Sequence, residues 1–145
     1  MYIDNLVMDY IMEFMQWVCE DLDIEEPNIS FLEAENFPTE TTVAIFKSNH
    51  YTIFYNTNYI PDFPYAESMY YIFFATAHEL RHIYQLKKDK NLFKGYILSN
   101  KTDVKSYNQQ EVEVDANKYA VQKMDEFNPD WDIYNIKETM KNENY

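Results

Sequence analysis

Residues 69–83 read Met69-Tyr-Tyr-Ile-Phe-Phe-Ala-Thr-Ala-His-Glu-Leu-Arg-His-Ile83. Wound at 3.6 residues per turn, Met69, Tyr70, Ile72, Phe73, Phe74, Ala75, Ala77, Leu80 and Ile83 cover nearly the whole circumference. A helix that is apolar all round belongs in the middle of a domain rather than on its surface. Pro64 suits a first helical turn and Glu67 the positive end of the helix dipole, so the helix is expected from about Pro64 to Lys88. Lys87, Lys88 and Lys90 are read as its solvated end.

Two of the three histidines in the chain lie inside this apolar stretch, as His78-Glu79-Leu80-Arg81-His82. Residues four apart lie one turn above each other on one helix face, so both imidazoles can point at a single ion. Glu79 then stands beside that ion, where it can hold and deprotonate a water. A five-residue pattern with three fixed positions also arises by chance. Here, however, three polar side chains would be buried at a cost that a metal offsets. The motif therefore points to Zn2+, held by His78 and His82, with Glu79 as the catalytic base.

The third ligand must be acidic. Gln85 and Lys88 stand where an extended motif would place its glycine and third histidine, and no histidine follows His82. The segment Gln109–Phe127 reads as a helix and offers Glu111, Glu113 and Asp115. At about 100° per residue, Val112, Ala116, Tyr119, Ala120, Met124 and Phe127 form an apolar arc with Glu113 inside it. Glu111 points away from the centre of the arc, and Asp115 sits near the opposite border. A carboxylate embedded in an apolar face needs a partner, so Glu113 is the expected ligand and Glu111 the fallback. The small Ala116 and Ala120 would let this helix approach the buried one closely.

The pair of motifs, His78-Glu79-Leu80-Arg81-His82 and Glu113-Val-Asp115-Ala116-Asn117-Lys-Tyr119-Ala120, resembles the gluzincin metallopeptidases. Within them it is most similar to the ImmA/IrrE-like proteins and the related minimal gluzincins. The resemblance implies that Glu113 is the zinc-binding glutamate and that Asn117, four residues on, buttresses a ligand histidine. Asp115 stands for the usual glutamate, Tyr119 for the usual phenylalanine, and Arg81 for a common glycine. Arg81 is read as a solvent or ion-pair residue on the outer side of the helix. The implied activity is peptide-bond hydrolysis, with an extended substrate on an edge strand taken from Thr41–Lys47 or Tyr51–Tyr55. Tyr107 and His50 are candidates to stabilise an oxyanion.

Outward from these helices, Asp4–Cys19 repeats Leu6, Val7, Tyr10, Ile11, Phe14 and Trp17–Val18 at helical spacing. Ile29–Leu32 reads as a short strand. Thr41–Lys47 and Tyr51–Tyr55 flank Ser48-Asn49-His50 and read as a hairpin. A short helical piece is expected around Leu92–Leu98. Asn128-Pro129 reads as a cap and first position for a last helix, Pro129 to about Met140. The expectation is a single domain over residues 1–145 of α+β class. In it a small antiparallel or mixed sheet of about three strands packs against the active-site helix and the glutamate helix, with an N-terminal and a C-terminal helix.

Composition narrows the function. Gly95 is the only glycine, so no glycine-rich phosphate loop can form, and turns with positive φ are expected to use Asn or Asp. The net charge of −13 opposes nucleic-acid and anionic-membrane partners. Cys19 is the only cysteine, so neither an internal disulfide nor a thiolate cluster is available. No signal peptide or membrane span is read, and the expected location is cytoplasmic. The leading expectation is an active intracellular zinc peptidase acting on a protein or peptide, by family analogy a regulatory protein. The alternatives are a non-catalytic regulatory or protein-binding module on the same scaffold, and a purely structural zinc.

Overall fold

A computed structural model describes residues 3–62, 64, 66–88 and 111–127. The expected helical pieces at Leu92–Leu98 and Pro129–Met140, and Tyr107, lie outside the described residues. Among the described residues, three α-helices and a three-stranded sheet make an α+β fold. They are α1 (Asn5–Leu22), β1 (Asn28–Leu32), β2 (Ala44–Lys47), β3 (Thr52–Asn56), α2 (Ala66–Lys88) and α3 (Glu111–Phe127).

Helix α1 starts where the Asp4 carboxylate accepts a hydrogen bond from the Leu6 N–H at 2.8 Å. It ends at Asp23, which turns into the left-handed region at φ 53° and returns its N–H to the carbonyls of Cys19 and Glu20. The aspartate does the work usually given to glycine, as the composition requires. The other positive φ among the described residues departs from that rule: Tyr51 has φ 48° at the end of the hairpin turn. Its ring meets Phe46 edge-on at 5.7 Å, and its hydroxyl donates to the Glu25 carbonyl. These contacts offset a backbone cost of about 1–3 kcal/mol.

The sheet order is β1-β3-β2. β1 runs parallel to β3, with Phe31 opposite Tyr55, while β2 runs antiparallel to it, with Phe46 opposite Ile53. The sheet is therefore mixed, and β3 is its central strand. Of the two segments read as candidate edges, only the β2 segment lies at one. The Tyr55 hydroxyl, fully buried, meets Thr76 Oγ1 at 2.6 Å, and Thr76 in turn donates to the Ile72 carbonyl at 2.7 Å. This joint fixes α2 against the central strand two residues before His78.

Residues 72–80 of α2 are buried without a break, as the all-round apolar pattern demands. The rings of Phe14 and Phe73 stack at 4.5 Å, and Phe127 meets them edge-on at 5.1 and 5.6 Å. One aromatic cluster thus joins α1, α2 and α3. No helix among the described residues is long and apolar enough to cross a membrane.

Phe14→Ala should lower the unfolding free energy by about 3–5 kcal/mol in a urea titration; a loss below about 1 kcal/mol would contradict the three-helix ring cluster. Cys19 gives a second check. Burial, helped by the charge of Glu26, pushes its thiol from an ordinary 9.0 up to about 12. The folded chain therefore keeps a proton that the unfolded chain loses. The associated stability is intact below pH 9.0 and falls as pH climbs from there toward about 12. Thiol labelling at pH 8 should be far slower in the native protein than in urea, and equal rates would refute the burial.

Candidate metal centre

The helical phase of α2 puts His78 and His82 on one face, and their Nε2 atoms stand 3.1 Å apart. The rings meet edge-on at 4.7 Å between centres. Across from them, Glu113 of α3 is fully buried. Its Oε2 lies 3.0 Å from His78 Nε2 and its Oε1 lies 3.0 Å from His82 Nε2. Ala116 and Ala120 are fully buried on the same face of α3, and their lack of bulk allows this approach to α2. Glu79 is the next group out: its Oε2 is 3.9 Å from each Nε2, and its Oε1 accepts the Phe46 N–H of β2 at 3.0 Å.

Both imidazoles are held from behind. His78 Nδ1 meets Asn117 Oδ1 at 2.8 Å and His82 Nδ1 meets Gln85 Oε1 at 2.7 Å. An amide oxygen only accepts, so each ring carries its hydrogen on Nδ1 and turns Nε2 toward Glu113. Two imidazole nitrogens and a carboxylate converging this closely require a cation between them, whether a proton or a metal ion. The charges respond accordingly. Burial works to raise the Glu113 pKa, but the two imidazoles outweigh it and hold the carboxyl well below its usual range. Burial works to lower that of His82, but Glu113 and Glu79 push it up to about 9. Glu79 is raised, chiefly by desolvation with a contribution from Glu113, against the imidazoles and the Phe46 N–H.

The donor set suits a metal ion. His78, Glu79 and His82 offer ligand atoms within 4.8 Å of one another, and the Glu113 oxygens are nearer still to both rings. Tetrahedral coordination at about 2.0–2.1 Å sets donor–donor edges of about 3.3 Å; the two Nε2 atoms are 3.1 Å apart, and each lies 3.0 Å from one of the two Glu113 oxygens.

The chain matches no protein-family model. It matches no curated protein and no solved structure. The chain itself carries a His-Glu-x-x-His cluster, able to hold a metal ion, on a helix of a small α+β fold.

The structure brings His78, Glu79, His82, Glu113 and Asn117 together. It leaves out Glu111, which is exposed: two positions before Glu113 on a helix is about 200° away, too far round to reach α2. His50 is exposed in the hairpin turn. Of the two readings of Arg81, solvent or ion pair, the structure shows the ion pair. Arg81 forms a two-pronged pair with Asp115 at 2.8 and 3.2 Å, between the rings of Tyr84 and Tyr119 at 4.5 and 4.8 Å. The sequence reading missed Gln85, which is buried behind His82. Its spacing of three from His82 was the available signal. It also missed the burial of Lys123, whose ammonium lies 3.0 Å from Asp21 and 2.8 Å from Glu126.

Titration with Co2+, read by its visible absorption, should show that Glu113→Ala abolishes stoichiometric metal binding while Glu111→Ala preserves it. The opposite pattern would overturn the assignment of the carboxylate.

Proposed function

We propose that this chain is a zinc-dependent metallopeptidase of gluzincin type, hydrolysing peptide bonds in an intracellular protein or peptide substrate. One observation carries the reading: two imidazole nitrogens on α2 and a carboxylate on α3 converge at ion-binding spacing, with a second carboxylate one step farther out. Glu113 is placed to ligate, whereas Glu79 has the standoff a general base needs. The two-motif resemblance supports the same division of roles.

Zinc held by His78, His82 and Glu113 would supply Lewis acidity, polarising a carbonyl and lowering the pKa of a water to about 7. Glu79 takes up the proton of the attacking water at Oε2, the oxygen that faces the imidazoles. It then returns that proton to the leaving amide nitrogen. Its other oxygen is anchored by the Phe46 N–H, so the base does not swing as it changes charge. The upward push on its pKa by burial favours a group that must both accept and release a proton near neutral pH.

Phe46 belongs to β2, an edge strand, and an extended substrate laid along that edge would place its backbone beside Glu79. An open, mostly apolar cleft of about 450 Å³ adjoins this point, with Ile24, Phe46, Tyr51, Ile83 and Leu86 among its lining residues. An apolar side chain near the scissile bond would be seated there.

The purified protein should contain one zinc and cleave a quenched fluorogenic peptide library. Chelation should abolish cleavage and added zinc should restore it. Glu79→Gln should keep the metal and lose activity by at least about 10²–10⁴-fold, the usual share of a general acid–base group. Equal cleavage by this variant would refute the peptidase reading. Zinc binding without any cleavage by the unaltered chain would favour a regulatory or protein-binding role.

A further inference from the structure

Gln85 follows His82 by three residues on α2 and is 3% exposed. Its side chain touches three groups. Nε2 lies 3.0 Å from the Val112 carbonyl and 2.8 Å from Asp115 Oδ2, and Oε1 lies 2.7 Å from His82 Nδ1. The carbonyl and the carboxylate can only accept, the latter being kept ionised by its two-pronged pair with Arg81. The amide must therefore turn its NH2 group toward α3. The reversed amide would bring its oxygen against two other oxygens. With the amide fixed, Oε1 has to face His82, and an oxygen there demands hydrogen on Nδ1.

We propose that Gln85 is a positioning residue for the metal site: clamped by the Val112 carbonyl and the Asp115 carboxylate of α3, its amide fixes His82 as the Nδ1–H tautomer, which leaves Nε2 to ligate the ion. The proposal rests on the metal reading above and extends it to a residue that touches neither the ion nor substrate. The order of causation runs outward to inward. Arg81, held between the Tyr84 and Tyr119 rings, orients Asp115; Asp115 and the Val112 carbonyl orient Gln85; Gln85 orients the ring. His78 has a different arrangement, since its Nδ1 is met directly by Asn117 of α3. The two ligand imidazoles are thus fixed by independent means. Removing Gln85 should disable one ligand while leaving the other in place.

The test measures zinc affinity, by competition with a chromophoric chelator, and the His82 Nδ1–H proton by NMR in the zinc-loaded protein. Gln85→Met keeps the length of the side chain and removes all three hydrogen bonds. It should weaken zinc binding by about 10–100-fold, the range typical for removing a group that orients a metal-bound histidine. It should also abolish a slowly exchanging Nδ1–H resonance that the unaltered protein shows. Val7→Ala, which removes a buried α1 side chain outside both the site and the ring cluster, should keep both the resonance and the affinity. Should Gln85→Met fail to fold, Gln85→Asn replaces it: one methylene shorter, it cannot span His82 and α3, and the same two losses are expected. Zinc bound by a folded Gln85 variant as tightly as by the unaltered protein, with the resonance retained, overturns this inference alone. An unaltered protein that binds no zinc overturns the metal reading and this inference together.

Discussion

Four acceptor atoms, the two imidazole Nε2 atoms and both oxygens of the Glu113 carboxylate, meet at 3.0–3.1 Å between two helices and form the constraint around which the fold is arranged. Without a positive charge among them, His78 Nε2, His82 Nε2 and the Glu113 carboxylate repel one another in a medium that screens poorly. A proton relieves part of that repulsion, which is why His82 is pushed up to about 9 while Glu113 is pushed down. A divalent ion would relieve it more fully by engaging all three at once, and it would have to displace the proton to do so. Metal uptake on this reading competes with protonation of His82. The electrostatics that draws α2 and α3 together is, on this reading, also the source of affinity for the ion.

Glu79 couples this centre to the sheet. It belongs to the buried surface of α2, yet its Oε1 reaches the Phe46 N–H on the edge strand. The Tyr55–Thr76 hydrogen bond sets the height of α2 against the central strand two residues earlier. Side chains on α2 and backbone groups on β2 are therefore held in one register. On the proposed reading this is the useful coupling: the group that would move protons and the strand that would present the substrate backbone are joined by one hydrogen bond.

Much of this was legible in the sequence because it is a property of single elements. Helical phase alone placed His78 and His82 on one face and put Glu113 rather than Glu111 in the apolar arc of α3, and the all-round apolar pattern located α2 at the centre. The hairpin followed from two β-rich runs around Ser48-Asn49-His50. What stayed hidden depends on which element meets which. Gln85 served only to exclude an extended histidine motif; nothing in a linear sequence says that its amide would lie between His82 and the Val112 carbonyl. The outward phase of Arg81 leaves solvent and an ion pair equally open, without saying which partner is there. Helix α3 occupies that side, and it turns the guanidinium into a partner for Asp115. Lys123 was hidden for a similar reason. A lysine is rarely buried, and this one is paid for by Asp21 from α1 and Glu126. Tyr51 at positive φ follows from a tertiary anchor, the Glu25 carbonyl, which no turn rule could supply.

The support of the two histidines shows how strongly the site depends on one turn and a half of α3. Val112 gives a carbonyl to Gln85, Glu113 faces both Nε2 atoms, Asp115 fixes Gln85 and Arg81, and Asn117 meets His78. A slip of α3 by a single residue rotates these groups by about 100° and would remove every one of those contacts together. Metal binding and the docking of α3 on α2 are accordingly one equilibrium on the proposed reading. Whatever binds only the docked form stabilises it, by an amount that grows with its concentration relative to its dissociation constant. The aromatic cluster of Phe14, Phe73 and Phe127 is then needed for more than bulk stability. By joining α3 at its far end to both α1 and α2, it holds the register within which the contacts of Val112, Glu113, Asp115 and Asn117 can form.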